Sequence, residues 1–334
     1  MARDEQRRVL HADGDSYNAD TLNLLRLSSG ELRIIQPDDL LETLPGYDPD
    51  TLFVGLGTTV DRSVLDLAPG LSCVVTPTTS HNHLGVADMA EKGVRIMSLQ
   101  GRPDLLRDIT ATAEHTWALI LYLTRRLCEA GALLDGGSWS RSGLMGMELR
   151  GRMLGIVGLG RIGSAVADVA LAFGMEVQYS DIVDKAEAAQ LGLRRVPLPD
   201  LFSTSDVVSI HAPLGAAPAG MISRSLLDRM RQDTVFVNAA QGELVDEEAL
   251  ADAVAAGRIS AAVDVLRGDS RWTKVPAGHR LLDLARQTDR LVVTPHIGGY
   301  SDRSVRLVRH RLVEDYIEWT RREENGFAGV PAGF

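Results

Sequence analysis

The chain has 334 residues, enough for two domains of ordinary size, and its 45% hydrophobic and 24% charged residues are the balance of a soluble globular protein. A net charge of −10 argues against a nucleic-acid-binding surface, and the longest apolar run, Trp117 to Leu123, is too short to span a bilayer. The opening residues, Met1 to Arg8, lack the apolar core of a signal peptide, and the two cysteines, Cys73 and Cys128, sit in apolar runs, so buried free thiols in a reducing cytoplasm are expected and no metal site is.

In chain order, the first hundred residues alternate between strand and helix patterns. Arg8 to Ala12 reads as a strand, Leu22 to Leu27 as part of a helix ended near Gly30, Leu32 to Ile35 as a strand, and Asp38 to Leu44 as a short helix. Leu52 to Leu56 is a strand, and Val64 to Leu67 is a helix stopped by Pro69 and Gly70. Ser72 to Thr76 is a strand that runs into the loop from Pro77 to His83; Val86 to Lys92 is a helix ended at Gly93, and Val94 to Ser98 is a strand. Such alternation implies a parallel sheet with helices on both faces. The run from Gln100 to Pro103 punctuates the chain and marks a domain boundary. Beyond it, Ala113, Trp117, Ile120, Leu121, Thr124, Leu127 and Cys128 share one face of a long helix expected to end at Gly131, and Gly136 to Arg150 reads as a loop.

Leu154 to Val157 is a short apolar run that reads as a buried parallel strand, and it leads at once into a G-x-G-x-x-G at Gly158, Gly160 and Gly163, with Arg161 and Ile162 between the last two. A helix follows, with Ile162, Val166, Val169, Ala170 and Phe173 on one face and Gly174 at its stop; Glu176 to Ser180 is the next strand, ending in Asp181. Gly158 permits the tight turn, Gly160 lets the backbone approach a pyrophosphate, and Gly163 lets helix and strand pack closely. The helix N-terminus offers N–H groups and a positive dipole end to phosphates. Asp181 suits a ribose 2′-hydroxyl and repels a 2′-phosphate, which favours NAD over NADP.

After Asp181 the alternation continues. Asp206 to Ile210 is a strand ending in His211 and Pro213, Leu226 to Met230 is helical, and Thr234 to Val237 is a strand ending in Asn238, Ala240, Gln241 and Gly242. Asp246 caps a helix with Gly257 as its stop, and Ile259 to Val265 is a strand containing Asp264. An irregular polar stretch runs from Arg267 to His279, Leu291 to Val293 is the last strand and delivers His296, and a final helix covers about Asp302 to Arg321. Ligands of open α/β sheets bind outside the carboxyl ends of strands, which singles out the residues that follow each strand.

The order of motifs resembles the D-isomer-specific 2-hydroxyacid dehydrogenase family, the group that includes phosphoglycerate dehydrogenases. The resemblance is carried by G-x-x-L-G-I-V-G-L-G-R-I-G at Gly151 to Gly163, H-A-P-L at His211 to Leu214, G-E-L-V-D-E-E-A-L at Gly242 to Leu250, A-A-V-D-V at Ala261 to Val265 and T-P-H-I-G-G at Thr294 to Gly299. It implies an α/β fold of two doubly wound domains, Rossmann-like and flavodoxin-like. The NAD-binding domain, residues 102–299, is inserted into a substrate-binding domain formed by residues 1–101 and 300–334. It also implies a small-molecule substrate and a homodimer through the NAD domain. On the cofactor side it points to Gly158, Gly160, Arg161, Ile162, Gly163, Asp181, His211, Pro213, Asn238, Ala240, Asp264, His296 and Gly298, with Pro213 under the adenine edge and Asp264 at the nicotinamide carboxamide.

The family's chemistry uses a histidine as acid/base on the substrate oxygen, a carboxylate that orients it, and an arginine on the 2-oxo acid. By position the histidine is His296. The carboxylate, a glutamate in the family, is Asp269 here, one methylene shorter. The arginine has become Gln241, so a charged bidentate fork is replaced by a neutral amide. A hydrogen bond to a charged group is worth about 1.5–3 kcal/mol against roughly 1 for a neutral pair, and losing a donor at a developing oxyanion typically costs about 10²–10³ in rate. Three readings stay open: the substrate presents no free carboxylate beside the reacting carbon; Arg102, Arg141 or Arg267 replaces the cation; or the protein is an NAD(H)-responsive binding module with little turnover. The loop of the first domain also departs from the family, and Ser80, Asn82 and His83 are its candidate substrate contacts, set against an ordinary hydrogen-bonded surface loop. Glu114 reads as structural.

Overall fold

The computed structural model describes residues 7–13, 17–214, 217–272 and 274–324; the opening residues 1–6, read above for a leader, and the closing residues 325–334 lie outside that description. The chain forms two compact units, one made of Met1–Ile109, Ser270–Lys274 and Asp302–Phe334, the other of Thr110–Asp269 and Val275–Ser301. The crossing comes after Ile109 and not at Gln100–Pro103, because a short helix, Pro103–Leu106, follows that punctuation and puts Leu105 and Ile109 into the first unit's core with Phe53, Val75 and Leu312.

In the first unit, strands β1 (Arg8–Ala12), β2 (Glu31–Ile34), β3 (Thr51–Val54), β4 (Cys73–Val75) and β5 (Arg95–Met97) pair in parallel in the order β2-β1-β3-β4-β5. Period-2 alternation divides their side chains between two cores. Leu10, Leu52 and Val74 pack on one face with Leu44 and Met89, while Val9, Phe53 and Val75 pack on the other with Leu25 and with Tyr316 of the helix Asp302–Glu324. Central strands covered on both faces are continuously apolar, as Thr51–Val54 and Cys73–Val75 are buried throughout.

In the second unit, β6 (Met153–Val157), β7 (Glu176–Ser180), β8 (Arg194–Arg195), β9 (Val207–Ile210), β10 (Thr234–Asn238), β11 (Ile259–Val263) and β12 (Leu291–Val293) form a parallel sheet in the order β12-β11-β10-β9-β6-β7-β8. Chain order reverses between β6 and β9, the switch point at which doubly wound sheets open a crevice for ligands. The loop after β6 enters that crevice.

Two expectations need correction. The long helix is two: Ala111–Thr124 and Leu127–Asp135, broken where Arg126 takes φ 54°, and Gly131 lies inside the second. The break is enforced from a distance, because Met147 N–H reaches the Thr124 carbonyl at 2.7 Å and takes the acceptor that a continuing helix would use. Cys128 is half-buried rather than buried, with Sγ donating to Asp289 at 3.2 Å; Cys73 is buried, and both thiols are free. The short helices Ala186–Gln190, Leu198–Thr204 and Arg280–Ala285 complete the second unit.

Candidate functional site

The phosphate loop is built by close approach. Gly158 has φ 90°, and a Cβ there would lie 2.8 Å from the Ala212 nitrogen; a Cβ on Gly163 would lie 2.2 Å from the Gly158 carbonyl oxygen. Gly160 differs: it is the N-cap of the helix Arg161–Ala172, no side chain caps that helix, and among the described residues a Cβ would meet nothing within 4 Å. Open space thus faces a helix N-terminus at the sheet's switch point, which is the room a pyrophosphate needs. Asp181, at the end of β7, accepts Leu159 N–H at 2.8 Å and Val183 N–H at 2.9 Å, which fixes its carboxylate beside the loop. Ile162 packs on the core and Arg161 is exposed. At the end of β9, His211 is buried with Nε2 on the Ser209 hydroxyl at 2.8 Å; burial pushes its pKa down to about 3, so the ring is neutral, and its buried Nδ1 has no partner among the described residues. Pro213 is exposed just beyond it. These residues fit a dinucleotide.

Asn238 is buried, and its side chain closes its own turn: Nδ2 donates to the Gln241 carbonyl at 2.9 Å while Oδ1 accepts Ala240 N–H at 3.1 Å. The amide thus shapes the 238–241 turn, from which Ala240 and Gln241 emerge half-buried.

His296 follows β12 with φ 55°, a left-handed backbone, and its N–H bonds the Asp264 carbonyl at 2.8 Å and the Thr294 carbonyl at 3.0 Å. Its Nδ1 lies 3.0 Å from Asp269 Oδ2, and the same oxygen accepts Leu266 N–H at 3.1 Å. An ionised carboxylate only accepts, so Nδ1 carries the hydrogen and Nε2 is left as the nitrogen that exchanges its proton. Burial pulls the imidazole pKa down, but the hydrogen bond and charge of Asp269, with the charges of Asp264 and Glu243 beyond, outweigh burial and hold it above the usual histidine value.

The loop that carries Asp269 is tied to the loop that carries Gln241. Gly242 approaches it so closely that a Cβ would lie 2.1 Å from the Leu266 carbonyl carbon. Glu243 accepts Gly268 N–H at 3.2 Å, and Glu247 accepts Arg267 N–H at 2.7 Å. Neither glutamate was singled out in the sequence, and neither was His115, which lies with Thr294 beside Asp264. The available signal was a lone imidazole on a helix among the buried Ala113, Thr116 and Trp117.

Among the three candidate replacement cations, Arg102 is committed within the first unit to Asp315 at 2.6 Å and Asp104 at 3.0 Å. Arg141 stands exposed in the loop after Leu127–Asp135, and Arg267 is exposed next to the Gln241–Gly242 turn. In the first unit, Ser80 and Asn82 are half-buried, with the Ser80 carbonyl accepting the Thr78 hydroxyl at 2.7 Å. The expectation that His83 faces a substrate is corrected: it is 1% exposed, bonded through Nε2 to the Thr76 hydroxyl at 3.1 Å, and burial, with the charge of His81 behind it, pushes its pKa down to about 4. The loop folds this ring into the unit's interior. Glu114 accepts the Thr110 hydroxyl across the first turn of its helix.

Residues 117–298 match the family model described as D-isomer specific 2-hydroxyacid dehydrogenase, NAD binding domain. A D-3-phosphoglycerate dehydrogenase of Mycobacterium tuberculosis is 38% identical over 264 residues, covering 78% of this chain and 47% of that protein. The chain thus spans about half the length of the mycobacterial dehydrogenases it matches. A hydroxypyruvate reductase of Thermotoga maritima is 32% identical over 281 residues, covering 84% of this chain and 87% of that protein. The solved structure of the TT0316 protein from Thermus thermophilus superposes with a TM-score of 0.76 at 32% identity, covering 96% of this chain and 97% of that one.

Proposed function

Since this chain belongs to the D-isomer specific 2-hydroxyacid dehydrogenase family and residues 117–298 are its NAD-binding domain, we propose that it transfers hydride between NAD(H) and a 2-hydroxy/2-oxo acid-like substrate. The observation that carries this reading is the 3.0 Å contact between His296 Nδ1 and Asp269 Oδ2, which leaves Nε2 available to a substrate oxygen. NADH, when bound, supplies the hydride. In the reducing direction, the substrate's oxo oxygen takes a proton from His296 Nε2, and Asp269 stabilises the imidazolium that must be present beforehand. In the oxidising direction, neutral Nε2 accepts the hydroxyl proton. The phosphate loop at Gly158, Gly160 and Gly163 holds the pyrophosphate, and Asp181 selects NAD through the ribose hydroxyls. Gln241 is the substrate-anchoring group, a neutral donor in place of a charged one.

The second reading, an NAD(H)-binding regulatory or scaffold protein with little turnover, draws its support from Gln241 alone. A panel of 2-oxo acids followed by NADH absorbance, run with the native protein and with His296→Ala, separates the two. Turnover by the native protein that disappears in His296→Ala, with NADH affinity retained, supports the enzyme. NADH binding without turnover of any panel member supports the regulatory reading.

The protein is further proposed to be a cytoplasmic homodimer joined through the NAD domain. The helix Leu127–Asp135 has no buried residue, and Trp139 and Met145 in the loop after it are 94% and 91% exposed. Large exposed apolar side chains in one stretch of chain support an interaction surface there.

A further inference from the structure

Asp264 stands directly after β11, only 2% exposed, and donors surround its carboxylate. Thr294 donates its hydroxyl to Oδ1 at 2.5 Å, Ile297 its N–H to Oδ1 at 2.9 Å, and Gly298 its N–H to Oδ2 at 2.7 Å. His115, in the second turn of the helix Ala111–Thr124, brings Nε2 to 3.3 Å from Oδ1 and to 3.1 Å from the Thr294 hydroxyl. Proton counting sets the direction of these bonds. The single hydroxyl proton of Thr294 goes to the carboxylate, which only accepts, so the threonine oxygen receives its bond from His115 and Nε2 carries the hydrogen.

The backbone of His296 hangs on the same cluster. Its N–H bonds the Asp264 carbonyl at 2.8 Å, and the two residues after it give their amides to the Asp264 carboxylate. A non-glycine residue at φ 55° persists only where its surroundings over-determine it. The packing leaves no slack: a Cβ on Gly298 would lie 2.8 Å from Asp264 Oδ2 and 3.5 Å from His115 Cδ2.

We propose that His115 is a positioning residue for His296: its Nε2–H braces Thr294 and Asp264, and these lock the left-handed turn at 296–298 that points His296 Nδ1 at Asp269. The inference rests on the reading of His296 as the acid/base. Three carboxylates act on the imidazole: Asp269 by a direct hydrogen bond, and Asp264 and Glu243 by charge. Of these, only the Asp269 contact depends on the angle at which the turn presents the ring. Loosening the brace therefore acts on the His296 titration chiefly through that contact.

The test is an NMR titration of histidine Cε1 signals in the whole protein, native and with His115→Ala, His115→Gln and Thr294→Val, the His296 signal being assigned by its loss in His296→Gln. NADH affinity is measured alongside by fluorescence. His115→Ala and Thr294→Val are expected to lower the His296 pKa by at least about 0.5 unit, while the NADH dissociation constant stays within roughly twofold. His115→Gln, which keeps a donor at the same reach, is expected to restore most of the shift. An unchanged His296 titration in the variants that lack the brace overturns the proposal, as does a glutamine variant no better than alanine, or NADH affinity falling in step with the pKa. If the alanine variant does not fold, Thr294→Val against His115→Gln carries the same comparison. Turnover plays no part here, so a native protein that reduces no 2-oxo acid defeats the proposed function and is distinguishable from failure of this inference.

Discussion

Asp269 reaches His296 although its side chain is one methylene shorter than the family's glutamate, because Oδ2 simultaneously accepts the Leu266 amide at 3.1 Å and the imidazole Nδ1 at 3.0 Å. The loop folds back on its own carboxylate, and Glu243 and Glu247 draw the preceding amides of Gly268 and Arg267 inward.

The pH dependence follows from this pair. With the folded pKa of His296 above the ordinary value of 6.5, the imidazolium's pairing stabilises the folded state fully below about 6.5 and is lost as pH rises through the raised pKa. The rate of oxo-acid reduction, which needs the imidazolium, is expected to fall through the same raised value, and oxidation to rise through it. Asp269→Asn removes the charge but keeps a polar group, so the inflection should move down by about one unit, a tenfold change in protonation equilibrium. A profile of kcat against pH for native and variant protein checks it; coincident inflections refute the pairing.

Gln241→Arg restores a charged fork on a turn already shaped by Asn238. If the substrate carries a free carboxylate, kcat/KM for simple 2-oxo acids should rise by about two- to thirtyfold, the difference of roughly 0.5–2 kcal/mol between a charge-assisted and a neutral donor. No change, or a loss, would mean that the native substrate does not present a carboxylate at that turn.

Much of this was legible in the chain because it depends on short-range backbone needs. The glycines at 158, 160 and 163 announce a strand–turn–helix by spacing alone, and β6 and the helix Arg161–Ala172 stand where that spacing requires. The break at Arg126 was not legible, since it depends on Met147 returning to the Thr124 carbonyl. His83 read as a loop residue because nothing local says that its ring turns inward to Thr76. The clasp of Glu243 and Glu247 on the Asp269 loop, and the brace of His115 on Asp264, join residues far apart in the chain. Each is a single polar residue without periodicity, and only the fold gives it a partner.

The exposed apolar surface around Leu127–Asp135 yields a test of assembly. Leu127 and Leu134 on that helix and Trp139 beyond it are exposed. The double substitution Leu134→Asp and Trp139→Asp removes apolar area and adds like charges across any two-fold interface. Light scattering after gel filtration should show a dimer for the native protein and a shift of at least about tenfold in dissociation constant for the variant. A native monomer at micromolar concentration rules the dimer out.

Asp181→Ala should change cofactor choice more than stability. The substitution removes a ribose acceptor and the negative charge that repels a 2′-phosphate, and frees the amides of Leu159 and Val183. NADH affinity is expected to drop by about tenfold, the cost of one charge-assisted hydrogen bond, while NADPH affinity holds or rises. Parallel fluorescence titrations with the two cofactors measure the ratio. A ratio unchanged from native would remove Asp181 from the ribose site.

Two glycines give the sharpest contrast, because the same added methyl group meets opposite surroundings. A Cβ at Gly242 would sit 2.1 Å from the Leu266 carbonyl carbon and 2.5 Å from its oxygen, so the backbone leading to Asp269 must move. Overpacking of that kind costs about 1–3 kcal/mol, and Gly242→Ala should lower the urea midpoint and turnover together. A Cβ at Gly160 meets nothing within 4 Å among the described residues, so Gly160→Ala should unfold within about 0.5 kcal/mol of the native protein. Its methyl group, however, would stand in the space before the helix N-terminus, and NADH affinity should fall by at least about tenfold as backbone contact with the pyrophosphate is blocked. Stability lost at 242 with NADH binding spared, and NADH binding lost at 160 with stability spared, would separate the two duties of glycine in this unit. A Gly160→Ala protein that binds NADH normally would place the pyrophosphate elsewhere.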